Sequence, residues 1–102
     1  MEVNFIVQAI GEAALVGQGA EECCELAQAL LKLQRIDMKV NTAAATREQV
    51  IDQITEEIAD VLNLIELIEM HLGTDLEKVS LIRNEKMGRW VDRLMGSTFG
   101  EQ

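Results

Sequence analysis

Three observations predict an all-α, four-helix-bundle-like fold. The 102 residues include no proline, the residue that most strongly disrupts a helix interior. Aromatic residues make up only 3% of the chain, with no tyrosine, whereas the good helix formers alanine, leucine and glutamate abound. Apolar residues also recur three and four positions apart, the spacing of one helix face.

The elements follow in order. A first helix is expected over residues 3–10, stopping near Gly11. A second is expected over residues 12–36, with Gly17 and Gly19 kinking it or delaying its start. Residues 37–45 read as the longest connection. The third helix opens at Thr46, whose hydroxyl can cap while Gln49 reaches back, a capping box. It runs to about His71, where Gly73 suits a helix stop. Thr74 with Glu77 repeats the box at the start of a fourth helix, expected to end near Leu94. Residues 95–102 are expected to be a flexible tail on a single domain spanning residues 1–102.

Composition limits the function classes. The net charge of -9 disfavours nucleic acid and anionic membranes as partners. Residues 1–8 lack the basic flank and apolar run of a secretion signal. No stretch approaches the roughly 20 apolar residues of a membrane span. A cytoplasmic protein is expected. A chain of this size hides only about two thirds of its unfolded surface, yet 48% of its residues are hydrophobic, so a homodimer or homotetramer is expected to absorb the excess. Cys23 and Cys24 are adjacent, and on a helix they point about 100° apart. Buried thiols are expected there, not a disulfide or a zinc site.

Angular position sorts the acidic residues. On the third helix Val50, Ile54, Ile58, Val61, Ile65, Ile68 and Leu72 share one broad apolar face. Glu57 lies at its margin, and Asp60 about 60° further round; Asp52 and Glu66 point to the polar side. On the second helix Leu15, Leu26, Ala29, Leu33 and Ile36 form the apolar face, with Glu22 inside that arc, Glu25 at its border and Glu21 further out. Glu22, Glu25, Glu57 and Asp60 can therefore converge if both faces enter one bundle. A buried charge costs several kcal/mol even after relaxation, so such a cluster needs protons, basic partners or cations. Oxygen ligands of this kind suit Mg²⁺ or Mn²⁺ together with substrate phosphates. Either pair alone is the common solvated pattern of a helix surface.

The last helix concentrates positive charge in Arg83, Lys86, Arg89 and Arg93. Arg83, Lys86, Trp90 and Arg93 follow one stripe with Val79. On their own these cations either pair with surface acids such as Asp92 or bind phosphate. Trp90 is expected in a core or an interface rather than as a base-stacking platform. His71 fits a helix C-terminus, where the macrodipole favours a cation.

Glu21-Glu22-Cys23-Cys24-Glu25 on one helix and Glu57-Ile58-Ala59-Asp60 on the next carry the paired pattern EExxE … ExxD. In this the chain resembles the MazG-like proteins of the all-α NTP pyrophosphohydrolase superfamily, from about the second helix through Lys86. The stretch from Glu25 to Glu57 is longer than the usual spacing in that family. The resemblance implies a MazG-type four-helix fold, usually oligomeric, that binds Mg²⁺ and hydrolyses nucleoside triphosphates to the monophosphate and pyrophosphate. It assigns Glu22, Glu25, Glu57 and Asp60 to the metal and makes Glu21 a further acidic residue beside it. Lys86 and its basic neighbours Arg83, Arg89 and Arg93 become phosphate-binding residues.

The mechanism expected on this basis makes Glu21 the general base, with Lys86 assisting at the phosphates. A non-catalytic helical module that binds a nucleotide or a protein is the alternative. A carboxylate-bridged di-iron bundle needs Glu-x-x-His motifs, and the only histidine, His71, follows Ile68 at that spacing.

Overall fold

The computed structural model describes residues 2–40 and 45–98, with the side chains of residues 5–40 and 45–96. These residues form four α-helices: α1 (Glu2–Ile10), α2 (Glu12–Met38), α3 (Arg47–Leu72) and α4 (Leu76–Thr98). No strand occurs among the described residues, and no described helix is long and apolar enough to cross a membrane. The chain separates into two compact units, Met1–Leu72 and Gly73–Gln102.

In the first unit α2 and α3 pack along their lengths, with α1 against both. They run antiparallel: Ala29 clusters with Val50 and Ile54 near the connection, while Gly19 meets Ile68 far from it. α2 is helical through Gly17 and Gly19, so the expected late start is absent. Helix packing overrides the modest propensity deficit of a glycine, about 1 kcal/mol each. α2 also absorbs Asp37 and Met38 from the expected connection. It ends where Lys39 takes a left-handed φ of 57° and the amides of Lys39 and Val40 donate to Ile36 O and Arg35 O. Those paired bonds are the Schellman arrangement, made here without glycine. Residues 41–44, also expected in that connection, lie outside the described residues.

α3 begins as its sequence predicts. The Gln49 amide donates to Thr46 Oγ1 at 3.1 Å and the Thr46 amide donates to Gln49 Oε1 at 2.9 Å, a reciprocal capping box. Arg47 Nε donates to Asp37 Oδ1 at 2.8 Å, tying the first turn of α3 to the last turn of α2. Gly73 follows α3 with φ +68°, a conformation that suits glycine.

In the second unit, the expected Thr74–Glu77 box is displaced by one residue. The Lys78 amide donates to Asp75 Oδ1 at 3.1 Å, so Asp75 caps α4. Aspartate is as good an N-cap as any residue, and it stands nearer to the first apolar residue of the helix, Leu76. α4 continues past Leu94 to Thr98. Residues 95–98 are thus helical rather than tail, and residues 99–102 lie outside the described residues.

The packing of the first unit follows a heptad rhythm. On α2, Leu15, Gly19, Glu22, Leu26, Ala29, Leu33 and Ile36 are buried or half-buried, at alternating steps of four and three. On α3 the same rhythm runs through Val50, Ile54, Glu57, Val61, Leu64, Ile68 and His71. This is the spacing that keeps a helix seam facing its partner. Ile58, Ile65 and Leu72, expected in the α3 core, are instead 45%, 43% and 52% exposed. They belong to a second apolar line, displaced by one residue from the buried one and running Ile51, Ile58, Leu62, Ile65, Leu72. An all-in-one apolar arc hid the fact that α3 carries two adjacent seams.

Candidate functional site

Each seam holds a single glutamate among apolar and small residues: Glu22 on α2 and Glu57 on α3. Both are half-buried, whereas their neighbours Glu21, Glu25 and Asp60 are exposed. One carboxylate oxygen from each of Glu22, Glu25 and Glu57 lies within 4.8 Å of the others. Three of the four acids singled out by angular position are therefore brought together. Asp60 stands outside that group on the next turn of α3, yet its charge is felt at Glu57.

The electrostatics are those of an uncompensated cluster. Glu22 Oε1 and Glu57 Oε1 are buried without a hydrogen-bond partner among the described residues. Loss of solvation raises the Glu57 pKa above its ordinary value, and the charges of Glu25, Asp60 and Glu22, with a hydrogen-bonding contact from Glu25, push it in the same direction. No arginine or lysine pairs with these acids among the described residues. Buried polar atoms are satisfied in the great majority of cases, so two orphaned carboxylate oxygens in one acidic cluster are the exceptional feature of the unit.

Sequence reading overlooked one participant. Gln18 Nε2 donates to Glu22 Oε2 at 2.9 Å, one helical turn before it. The bond engages Oε2 of Glu22 and leaves its other oxygen, Oε1, buried without a partner. A glutamine four residues ahead of a seam glutamate was the available signal.

Glu21, the expected general base, is an exposed neighbour of Glu22 on α2. The cations Arg83, Lys86, Arg89 and Arg93 all lie exposed on α4. None forms an ion pair among the described residues, Asp92 included. Trp90, expected in a core or interface, is 56% exposed. Lys86, Arg89, Trp90, Asp92 and Arg93 border one shallow, open stretch of the α4 surface. The two cysteines, expected to be buried, are both exposed free thiols, because Cys24 falls on the far side of α2 from its seam and Cys23 on its flank. His71 lies in the last turn of α3, with Nε2 3.5 Å from Glu12 Oε1.

Comparison with protein-family models, curated proteins and solved structures gives no match.

Proposed function

We propose that the chain is a divalent-cation-dependent nucleoside triphosphate pyrophosphohydrolase with a MazG-type fold, releasing the nucleoside monophosphate and pyrophosphate. The observation that carries this reading is the gathering of one carboxylate oxygen each from Glu22, Glu25 and Glu57 within 4.8 Å, in residues of which Glu22 Oε1 and Glu57 Oε1 are buried and unpartnered. Such a donor set fits Mg²⁺, or Mn²⁺ in its place: hard oxygen ligands, few in number, leaving positions for substrate oxygens. A cation held there would supply Lewis acidity and offset charge on the phosphates.

The chain's own residues then divide the work. Glu22, Glu25 and Glu57 would hold the cation, and Asp60, on the next turn of α3, would add its negative charge beside them. Gln18 orients Glu22. Glu21, exposed and free of a partner among the described residues, takes the proton from the attacking water. The oxygen–phosphorus bond formed by that water replaces the bond bridging the α and β phosphates. Within the second unit, Arg83, Lys86, Arg89 and Arg93 are the cations available to phosphate oxygens, in support of which they are exposed and unpaired on α4. The second apolar line on α3 suits a further copy of the chain, giving a homo-oligomer; its Leu62 is 59% exposed.

The test is a panel of ribo- and deoxyribonucleoside triphosphates assayed for pyrophosphate with Mg²⁺, with Mn²⁺ and with chelator. Metal-dependent release is the expected result. Triphosphate binding without release under either metal would overturn the enzyme reading in favour of a non-catalytic nucleotide-binding module.

A further inference from the structure

The one tryptophan of the chain is not used by the chemistry above. Trp90 is more than half exposed in mid-helix and shares an open, shallow stretch of the α4 surface with Lys86, Arg89 and Arg93. At about 100° per residue these four side chains fall within roughly 100° of the α4 surface, Lys86 and Arg93 nearly in line and Trp90 beside Lys86. Lys86 precedes Trp90 by one turn and Arg93 follows it by nearly one, so both are lateral neighbours of the indole.

We propose that Trp90 with Lys86, Arg89 and Arg93 forms a nucleotide-binding face on α4, the indole taking the base and the cations taking the phosphates. An indole presents a flat apolar face on which any nucleobase can stack. Arginine forks and a lysine ammonium are the side chains best matched to phosphate oxygens. The three cations have no carboxylate partner among the described residues, so no internal ion pair has to be broken when an anion arrives. Asp92 borders this surface on the Arg89 side, about 160° round the helix from Trp90.

Charge selects the size of the ligand. Three cations offset most of the roughly -4 charge that one nucleoside triphosphate carries near neutral pH. A long polyanion would extend beyond α4 into the field of a chain carrying 18 acidic residues and a net charge of -9. A single nucleoside triphosphate rather than a nucleic-acid strand is the occupant, a choice that rests on the function proposed above.

Trp90 is the only tryptophan, so its emission reports this face alone. The experiment uses the full chain in chelator, with no divalent metal, titrated with ATP and separately with inorganic triphosphate. ATP should quench the emission, while inorganic triphosphate should reverse that quenching by competition without quenching itself. By calorimetry, Trp90→Ala should bind ATP about tenfold more weakly, the scale of one stacked base, with inorganic triphosphate unaffected. Trp90→Phe should restore most of the loss, and Lys86→Ala or Arg93→Ala should weaken both ligands.

Glu57→Gln should quench like the parent chain, which separates this inference from the metal-site reading. Quenching in Glu57→Gln alongside failure of pyrophosphate release with the parent chain would sink the enzyme and leave the nucleotide face standing. Equal binding of ATP and inorganic triphosphate, insensitive to Trp90→Ala, would overturn the inference. So would an eight-nucleotide single strand that binds more tightly than ATP, which would make α4 a nucleic-acid surface.

Discussion

Gly19 and Ile68 hold α2 and α3 so close that a β-carbon built on Gly19 would stand 2.5 Å from Ile68 Cδ1. Glu22 lies one turn further along the same α2 seam, so this close approach helps set the separation across which its carboxylate meets Glu57. The obstructing atom is the tip of a side chain, and it can swing aside. Gly17, by contrast, faces open space.

The pair makes a controlled comparison. Gly17→Ala should stabilise the protein by about 0.5–1 kcal/mol, the usual gain for relieving a mid-helix glycine. Gly19→Ala should gain less than this or nothing, because Ile68 must move. Gly19→Leu should force the helices apart and weaken Mg²⁺ binding. Denaturant midpoints and metal titrations measure both effects. Equal stabilisation by the two alanines would mean that the Gly19–Ile68 approach carries no constraint.

The second seam of α3 gives a prediction about assembly. Leu62 is exposed between Ile58 and Ile65, at a position where a charge would not disturb the α2–α3 packing. Leu62→Lys should therefore convert an oligomer to a monomer with its helicity unchanged. Sedimentation equilibrium decides it; a parent chain that is already monomeric would remove the reason for the exposed seam proposed here.

What could be read from the sequence follows from which interactions are local. The Thr46–Gln49 box was legible because both halves lie within one turn, and the acidic arc was legible because Glu22 and Glu57 sit among apolar neighbours of their own helices. The cap of α4 was not, since Thr74 and Asp75 are both good caps and only the helix register chooses between them. Asp75→Ala should cost about 1 kcal/mol and Thr74→Ala markedly less, as thermal denaturation will register. Cys23 and Cys24 were misjudged because cysteine's average burial says nothing about which α2 face meets α3. The exposure of Ile58 and Ile65 was hidden for the same reason: a helix can be apolar over two seams while its own hairpin covers one.

The carboxylates should differ in their effect on turnover. Glu22→Gln and Glu57→Gln remove the two buried orphan oxygens, and Glu25→Gln removes the third member of the cluster. Each should lower pyrophosphate release by on the order of a hundredfold or more, the scale of losing one group that stabilises transition-state charge. Asp60→Asn should lose less, since Asp60 lies outside the group of three. Circular dichroism should show all four variants helical. In the parent chain, Mg²⁺ at 100 times its dissociation constant should add about 2.7 kcal/mol of stability. A Mg²⁺-induced gain that persists in Glu57→Gln would move the cation away from this cluster.

The raised pKa of Glu57 fixes the sign of a pH effect. Desolvation, followed by the charges of Glu25, Asp60 and Glu22, makes the native carboxyl hold its proton to higher pH than the unfolded chain does. Between those two values the native state binds more protons, so stability falls as pH rises through the window. The contribution is fully present below the ordinary glutamate value and is lost once the raised value is passed. Asp37 works in the opposite sense and at lower pH: its hydrogen bond with Arg47 depresses its pKa, so its contribution is present above the ordinary aspartate value and lost as pH falls through the depressed one. A divalent cation competes with the Glu57 proton, so Mg²⁺ affinity should climb with pH through the window in which metal-free stability declines. Glu57→Gln cannot titrate and should flatten both trends while leaving the Asp37 limb in place. Urea midpoints from mildly acidic to neutral pH, with and without Mg²⁺, give the measurement, and parallel slopes for parent and variant would show that Glu57 is not the group the cation displaces a proton from.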